Sequence, residues 1–512
     1  MPSTIESYDD IPYDSTPIRE THPANIAVQA ALFGLTPPDP ASCRVLELGC
    51  ASGGNILPMA FYLPQAEFCG IELSRAQAEA GQGLIDTLGL KNIRIHHLDI
   101  LQAEDLGQFD YILCHGVYSW APPKVRARIL ALCQESLTAN GIAYISYNAQ
   151  PGWHMRAMVR DMLLYQVRTA KTAYERLTLA YAALDNMETA FAAQDDTVSQ
   201  YLRGEIAALR GREPSYIYHE YLEDINQPFL FSTFMADAQR HGLQYLCETE
   251  MHNMFPDTLP EVAAAFIDRF DDLIEQEQAM DFLRNRTFRQ TLLCRDGVAI
   301  QRELELERFA EFAFYADLIP QETPDLKRPC PQSFASPDGK RYTLTHPLTK
   351  AAASVLGERH PDALAFSELA EAAAERVQGP YREQRAHLLG ELVGLYLRQV
   401  VGLSVVPQQY PHAVSVRPCA SLLARVQAAV GLGHVATVRH MPMGLDDFAM
   451  QLMTYLDGTR NGDQIAAALG RDIAAGELRI EGAPRGTALA KLIHDNCARL
   501  LHQFARHGVL ER

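Results

Sequence analysis

The sequence lacks the features that mark membrane, secreted and zinc-binding proteins. It has no run of about 18 predominantly apolar residues, so we expect no membrane span. The N-terminal sequence Met-Pro-Ser-Thr-Ile-Glu-Ser-Tyr-Asp-Asp is polar and acidic, unlike a secretory signal peptide. The ten cysteines include no Cys-x-x-Cys pair. This pattern predicts reduced, buried thiols in a cytoplasmic protein, without a disulfide framework or a metal site.

Positive charge is also scarce. The 512 residues include 45 Lys and Arg against 63 Asp and Glu, which gives a net charge of −18. A general nucleic-acid-binding protein needs a basic face, so we expect no nucleic-acid partner. A basic protein partner is compatible with this charge, although acidity mostly serves solubility. Apolar residues make up 47% of the chain, which is enough for packed cores.

Short apolar segments alternate with helical patterns before residue 150. The predicted strands are residues 45–48, 68–71, 93–97, 111–114 and 142–147. The predicted helices between them are residues 54–63, 74–88 and 124–137. This spacing indicates βαβ units, and therefore an α/β domain with a mainly parallel sheet and helices on both faces. Ligands of such sheets bind at the carboxyl ends of the strands.

A glycine-rich turn follows the first predicted strand. Small residues let the backbone approach a ligand closely, and free N–H groups at the helix start favour polar or anionic atoms. A dinucleotide fingerprint would run through Gly49, Ala51 and Gly54, whereas an S-adenosylmethionine loop would run from Glu47 to Gly53. The third interpretation is an ordinary turn without a ligand. Glu47 favours the second, because a carboxylate can bind a methionine ammonium but repels a pyrophosphate.

Acidic residues also follow the next two predicted strands. Glu72 can accept hydrogen bonds from both hydroxyls of a ribose, or it is a helix N-terminal acid with Ser74 as the cap. Asp99 can accept from an adenine amino group, with Ile100 packed on the ring, or it is a turn aspartate. Since the carboxyl ends of parallel strands share one edge, Glu47, Glu72 and Asp99 together favour nucleoside binding.

Polar and aromatic residues crowd the ends of the fourth and fifth predicted strands. The first loop is His115-Gly-Val-Tyr-Ser-Trp120, and the second begins Tyr147-Asn-Ala-Gln-Pro-Gly-Trp153. These loops hold both tryptophans of the chain. They form either a reaction centre or an aromatic plug over the sheet.

These motifs resemble the class I S-adenosylmethionine-dependent methyltransferases that carry a methyltransferase regulatory domain, a group that includes the rickettsial-type protein-lysine methyltransferases. The upstream Tyr13-Asp-Ser-Thr-Pro and Thr21-His-Pro fit the same pattern. They favour an N-terminal lid, with Tyr8, Tyr13 and Asp14, over a disordered tail. The departure is Ala51, where many class I enzymes have glycine. The resemblance is strongest in residues 13–155, good in 215–295 and weaker beyond 340.

The resemblance implies a Rossmann-like catalytic domain, S-adenosylmethionine as cofactor and a set of site residues. The cofactor-binding candidates are Tyr13, Glu47, Gly49, Ala51, Gly53, Asn55, Glu72, Leu73, Asp99, Ile100 and His115. The catalytic candidates are Tyr118, Tyr147, His115 and Trp120. If the acceptor is a lysine, an aromatic slot of Tyr118, Trp120, Tyr147 and Trp153 would disfavour its ammonium form. The tyrosine hydroxyls or His115 would orient the amine.

Beyond the catalytic domain we predict mainly helical α+β and winged-helix-like domains. The predicted boundaries are 1–170 for the methyltransferase domain with its lid, 171–213 for a helical connector, 214–319 for the regulatory domain, 320–407 for a helical middle domain and 408–512 for the winged-helix-like domain. Without metal-ligand spacing, His219 and Glu220 are expected in structural or interface roles. We interpret Arg284, Arg286 and Arg289 as a solvated helix face.

The leading hypothesis is a protein methyltransferase that acts on lysine, with a protein as its substrate. One alternative is a small-molecule methyltransferase whose extra domains dimerise or close the pocket. The sequence leaves both a homodimer and a monomer open. The other alternative is a cofactor-binding scaffold without turnover, because Glu47, Glu72 and Asp99 argue for binding but not for catalysis.

Overall fold

A seven-stranded sheet organises the first half of the chain, with the spatial order β3-β2-β1-β4-β5-β7-β6. Its strands are β1 (Arg44–Leu48), β2 (Glu67–Glu72), β3 (Ile93–His97), β4 (Phe109–Cys114), β5 (Leu137–Asn148), β6 (Leu243–Glu248) and β7 (Phe288–Arg295). Strands β1 to β5 are parallel, whereas β7 is antiparallel to β5 and β6 is antiparallel to β7. The predicted fold class, a Rossmann-like sheet, is confirmed.

The computed structural model describes residues 10–13, 15–256, 259–480, 482 and 484–511. Tyr8 and Asp14, two of the predicted lid residues, lie outside the described residues. The chain divides into two compact units. Unit 1 contains residues Met1–Ser15 and Thr36–Ala299, and unit 2 contains Thr16–Leu35 and Ile300–Arg512.

Helices cover the sheet of unit 1 and extend its C-terminal part. They are α2 (Ile56–Tyr62), α3 (Arg75–Leu88), α4 (Pro123–Ser136), α5 (Gly152–Val167), α6 (Ala173–Ala192), α7 (Thr197–Arg210), α8 (Pro214–Ile217), α9 (Phe231–Arg240), α10 (Glu261–Ile267) and α11 (Leu273–Arg284). The central strands are near-continuous apolar runs because both of their faces are buried. This property made β1 to β5 predictable from the sequence.

The last two strands of the sheet come from the segment that the sequence assigned to a separate regulatory domain. Strand β7 pairs with β5 from Ile142↔Cys294 to Asn148↔Phe288. The predicted boundary between residues 213 and 214 therefore does not separate two sheets. The physical reason is that β5 would otherwise be an open edge, with unpaired backbone groups that the regulatory segment satisfies.

A buried ion network holds β7 to the rest of the regulatory segment. Arg289 is fully buried and donates to Asp281 Oδ2 at 2.8 Å, Glu248 Oε1 at 2.9 Å and Glu277 Oε2 at 2.9 Å. Arg286 donates to Glu248 Oε2 at 2.7 Å. The expected solvated helix face is wrong for these two arginines, because Arg289 is a strand residue and both face acids from neighbouring elements.

Unit 2 begins with α1 (Pro23–Leu32), which the sequence had placed in the 1–170 domain. In the structure its Gln29 Nε2 donates to Tyr396 Oη at 2.7 Å, far along the chain. This long-range contact explains why the N-terminal boundary was wrong. Local sequence patterns do not show which distant segment covers an apolar helix.

The remainder of unit 2 combines helices with short antiparallel strands. The strands are β8 (Ala313–Tyr315), β9 (Ile319–Pro320), β10 (Gln332–Ala335), β11 (Arg341–Leu344), β12 (Leu364–Ala365), β13 (Gly402–Ser404), β14 (His434–Ala436) and β15 (Pro442–Gly444). The helices are α12 (Pro347–Arg359), α13 (Phe366–Arg376), α14 (Arg385–Leu397), α15 (Leu422–Ala429), α16 (Asp447–Thr454), α17 (Gly462–Ala475) and α18 (Thr487–Arg506). Each helix in the described ranges is too short or too polar to form a transmembrane span.

We expect Arg289→Met to destabilise unit 1 by about 3–5 kcal/mol, because it leaves the carboxylates of Glu248, Glu277 and Asp281 buried without their central cation. The measurement is thermal and urea unfolding followed by circular dichroism. The control is Arg94→Met, since Arg94 is an exposed arginine of the same sheet. Equal small losses in both variants would show that the buried network contributes little.

Candidate active site

A cavity of about 250 Å³ opens at the carboxyl ends of the parallel strands. The predicted residues that line it are Tyr13, Gly49, Ala51, Glu72, Leu73, Asp99, Ile100, His115 and Trp120. They follow β1, β2, β3 and β4 in turn, apart from Tyr13, which comes from the N-terminal segment. The structure therefore brings together side chains that the sequence places at successive strand ends, as expected for an open α/β sheet.

The turn after β1 exposes its backbone to this cavity. Gly49 has φ +74°, and a Cβ built there would lie 2.5 Å from Val117 Cγ2. Gly49 N donates to Ile71 O at 2.8 Å, which ties the turn to β2. Ala51 also adopts the left-handed region, with φ +49°. This conformation costs a non-glycine residue about 1–2 kcal/mol, which explains why glycine suits the position.

Glu72 connects the turn to the start of α3. Its Oε2 accepts from Ala51 N at 2.8 Å, and its Oε1 accepts from Ser74 N at 2.7 Å. Ser74 caps α3 by accepting from Gln77 N at 3.2 Å. A carboxylate has about four acceptor positions. Glu72 thus ties the turn to the start of α3 while it lines the cavity.

Asp99 follows β3 at the same edge. Its Oδ1 accepts from Leu101 N at 2.9 Å and caps a short 3₁₀ turn at Ile100–Gln102. Ile100 presents an apolar surface to the cavity beside this carboxylate. One acceptor group next to an apolar side chain matches the edge and the face of an aromatic base.

Three of the cofactor candidates lie behind the turn and do not line the cavity: Glu47, Gly53 and Asn55. Asn55 Nδ2 donates to Glu47 Oε1 at 2.7 Å, whereas Glu47 Oε2 is buried without a hydrogen-bond partner among the described residues. Burial raises the pKa of Glu47 to about 8. Glu47 therefore supports the turn through Asn55 and does not itself reach the cavity.

His115 and Trp120 form the aromatic side of the cavity. His115 Nδ1 is 2.8 Å from Tyr144 Oη, and the His115 ring lies edge-on to Phe288 with centroids 5.9 Å apart. Trp120 contacts Trp153 in a T-shaped pair with centroids 6.3 Å apart. Trp153 itself is buried behind Trp120. The wall is therefore rigid and largely apolar.

Tyr118 and Tyr147 are not part of this wall, and their predicted place in an aromatic acceptor slot is wrong. Tyr147 stacks on Phe234 with centroids 4.1 Å apart, and its hydroxyl is 3.2 Å from Thr291 Oγ1. Tyr118 packs against the same Phe234 and against Phe229, with 1% of its surface exposed. The regulatory segment supplies both phenylalanines and covers these rings, so desolvation raises the pKa of both hydroxyls.

The cavity also contains residues that the sequence interpretation missed or placed elsewhere. Asn148 and Phe288 face each other in register at the ends of β5 and β7. His219 and Glu220, expected in structural or interface roles, also line the cavity. The Tyr-His-Glu-Tyr run at 218–221 was the only local signal for them. Among the described residues, no group of three or more potential metal ligands is present.

Family models match three parts of the chain: a methyltransferase domain at residues 46–143, a predicted methyltransferase regulatory domain at 213–295 and a "PKMT, C-terminal winged helix domain" at 417–509. The uncharacterized protein RP789 of Rickettsia prowazekii (strain Madrid E) is 32% identical over 483 residues, which are 92% of this chain and 87% of that protein. The chain belongs to the class I S-adenosylmethionine-dependent methyltransferases with a methyltransferase regulatory domain.

A solved structure also resembles this methyltransferase over almost its whole length. PKMT2 from Rickettsia typhi is 27% identical, with a TM-score of 0.89, and the match covers 98% of this chain and 100% of that one. The structure of the same protein in complex with AdoHcy gives a TM-score of 0.88 at 28% identity. The predicted winged-helix-like C-terminal domain is thereby confirmed.

The residues of this methyltransferase fit its cofactor, S-adenosylmethionine. Gly49 lines the cavity with its backbone, and the left-handed turn packs so closely on Val117 that a side chain would not fit there. Glu72 presents a carboxylate to the cavity, and Ile100 offers an apolar face beside Asp99. The carboxylates, the backbone turn and the apolar side chain at this edge of the sheet therefore match the polar and apolar groups of S-adenosylmethionine.

Glycine at position 49 should be indispensable, whereas alanine at 51 should be replaceable. Gly49→Ala should abolish cofactor binding measured by isothermal titration calorimetry, because the new Cβ meets Val117 and the φ angle disfavours it. Ala51→Gly removes the cost of about 1–2 kcal/mol that the left-handed conformation imposes on alanine in the folded turn. It also raises the conformational entropy of the unfolded chain, which lowers the stability by about 0.4–1 kcal/mol. Because these two effects largely offset each other, cofactor affinity should stay within about threefold of the wild type. A tolerated Gly49→Ala change would contradict this account of the turn.

Glu72→Gln should weaken S-adenosylmethionine binding by about 1–3 kcal/mol, because an NH2 group replaces one carboxylate oxygen and cannot accept the hydrogen bonds made there. Isothermal titration calorimetry measures the dissociation constant. The control is Glu67→Gln at the other end of β2, where the side chain is 70% exposed and bonds Arg44. An unchanged affinity in Glu72→Gln would remove this residue from the ribose site.

Proposed function

We propose that this enzyme transfers methyl groups from S-adenosylmethionine to lysine side chains of a protein substrate. The observation that carries the proposal is the match to PKMT2 over 98% of this chain, including the C-terminal domain. Similarity in the cofactor-binding sheet alone would be compatible with many different methyl acceptors. Similarity that continues through the regulatory and winged-helix domains favours a shared acceptor class as well.

The cofactor assignments follow the order of the strands. Asp99 and Ile100 would bind the adenine, with the carboxylate accepting from the amino group. Glu72 would accept from both ribose hydroxyls, and Leu73 would border the same subsite. The methionine part would lie against the turn at Gly49, supported from behind by the Glu47–Asn55 pair and Gly53.

Two further candidates would close the methionine end. Tyr13 lines the cavity, and its ring is 5.6 Å from the ring of His219. His115 also lines the cavity and contacts Tyr144. The position of Tyr13 supports the lid interpretation of its segment. His115 would lie near the reactive methyl group.

The protein's part in the reaction is positioning and desolvation. The bound cofactor supplies a methyl group already activated as a sulfonium, so a nucleophile in line with the C–S bond is the main requirement. A lysine amine has a reference pKa of about 10.4 and must lose a proton first. The apolar walls formed by Trp120, Val117 and Phe288 disfavour the ammonium form. This wall takes the place of the predicted tyrosine slot.

The test is transfer of a tritiated methyl group into the proteins of a cell extract. We expect acid hydrolysis and chromatography to recover the label as methylated lysine. Glu72→Gln should lose the label and Glu67→Gln should retain it. Label confined to small molecules would favour a small-molecule methyltransferase, and cofactor binding without any transfer would favour a scaffold.

Two related expectations stay predictions. A homodimer would appear in light scattering as twice the 57.0 kDa chain mass. A cytoplasmic location would appear on fractionation of the source cells.

A further inference from the structure

Three carboxylates line the cavity, and they differ in what they bind. Glu72 accepts from Ala51 N and Ser74 N, and Asp99 accepts from Leu101 N. Glu220 has no hydrogen bond or ion pair with any residue in the described ranges, and it lines the cavity as a partly buried side chain. A carboxylate that is partly withdrawn from water and has no protein hydrogen bond is available to a ligand cation in the cavity.

The backbone around Glu220 is firmly held. It belongs to a π-helical turn at Tyr218–Leu222, a rare conformation that often occurs at functional sites. His219 Nε2 donates to Ile11 O at 2.6 Å, and Nδ1 is 3.0 Å from Glu223 Oε1. The buried guanidinium of Arg176 donates to the carbonyl of Leu222. The carboxylate is thus presented from a fixed position.

Glu220 enters the cavity from the side opposite the nucleoside residues. The segment that follows its turn rests on the loops after β4 and β5, where Gln227 N donates to Ser119 O at 2.8 Å and Phe229 N donates to Asn148 O at 2.9 Å. Glu72 and Asp99 follow β2 and β3, on the other side of β1. Glu220 therefore shares its half of the cavity with the aromatic wall, which contains Trp120 and Phe288.

Arg156 is the cation of the chain that acts on Glu220, and it forms no ion pair with that carboxylate in the described ranges. Burial raises the pKa of Glu220 to about 7, and Arg156 opposes this effect. Arg156 is shared with Glu205, whose Oε2 lies 3.9 Å from Arg156 Nε. Glu220 in turn raises the pKa of the Tyr216 and Tyr221 hydroxyls. A carboxylate in a cavity that is also lined by aromatic side chains, here Trp120 and Phe288, is a favourable environment for an organic cation.

We propose that Glu220 binds the cationic amino group of the acceptor lysine and accepts its proton before methyl transfer, an inference that rests on the proposed function. The proton passes from the ε-ammonium nitrogen to a Glu220 oxygen and leaves a neutral amine. The nitrogen lone pair then forms the new N–C bond while the C–S bond breaks and its electrons remain on sulfur. Positive charge moves from sulfur to the methylated nitrogen, so no oxidant or reductant is needed.

The decisive experiment measures binding of n-butylammonium, a minimal mimic of the lysine side chain, to protein saturated with S-adenosylhomocysteine. Isothermal titration calorimetry gives the dissociation constant. Intrinsic fluorescence locates the binding, because the only two tryptophans of the sequence are Trp120, in the cavity, and Trp153, behind it. Glu220→Gln should weaken n-butylammonium binding roughly 10-fold to 100-fold, the loss expected for a charged hydrogen bond.

The matched control is Glu213→Gln, an exposed glutamate seven positions upstream that makes no side-chain cap of its helix. It should bind n-butylammonium like the wild type. Binding should strengthen as the pH rises through about 7, because only the carboxylate form pairs with the cation. That pH dependence should be lost in Glu220→Gln.

Three results would overturn the inference. The first two are no binding of n-butylammonium by the wild type, and binding by Glu220→Gln that equals that of the wild type. The third is a tenfold loss of S-adenosylmethionine affinity in Glu220→Gln while its S-adenosylhomocysteine affinity is unchanged. The last result would place Glu220 beside the sulfonium of the cofactor. Methylated lysine from the wild type is measured in parallel. If lysine is methylated while Glu220→Gln behaves like the wild type, the proposed function stands and this inference fails.

Discussion

The antiparallel pairing of β7 with β5 is the constraint on which the site depends. It closes the parallel sheet with strands from the regulatory segment, and it sets Asn148 opposite Phe288 at the cavity edge. The pairing is held from one side by Arg289, which binds acids on β6 and α11. Removal of one member of this network is destabilising, because it leaves the remaining charges buried without their partner. The regulatory segment is therefore structurally part of the catalytic unit.

The cofactor side of the cavity could be predicted from the sequence because its residues are local to strand ends. An apolar strand followed by a glycine or an acid gives both the element and the direction of the side chain. Gly49, Glu72 and Asp99 follow this rule, and all of them line the cavity. Glu47 obeys the same spacing but lies behind the turn. The spacing does not show whether a strand-end side chain points into the cleft or beneath it.

The opposite side could not be predicted, because long-range packing decides it. Tyr118 and Tyr147 have the composition of an acceptor slot, yet Phe229 and Phe234 cover them from about a hundred residues downstream. The same packing brings Glu220 to the cavity. The regulatory segment therefore covers Tyr118 and Tyr147, which were predicted to line the site, and contributes Glu220 to the cavity. For the same reason the sheet crosses the predicted boundary at 213/214, where the regulatory family model also begins, and α1 belongs to unit 2.

The two sides of the cavity come from different ranges of the sequence, which two different family models match. The methyltransferase family model spans residues 46–143, which include Glu72 and Asp99 but neither Asn148 nor Glu220. The regulatory model at 213–295 contains Glu220 and Phe288, which also line the cavity. Under the proposed function, similarity confined to the first range carries information about the cofactor and little about the acceptor. Similarity that extends through the second range would then bear on the acceptor as well, because residues of the regulatory segment form part of the cavity wall.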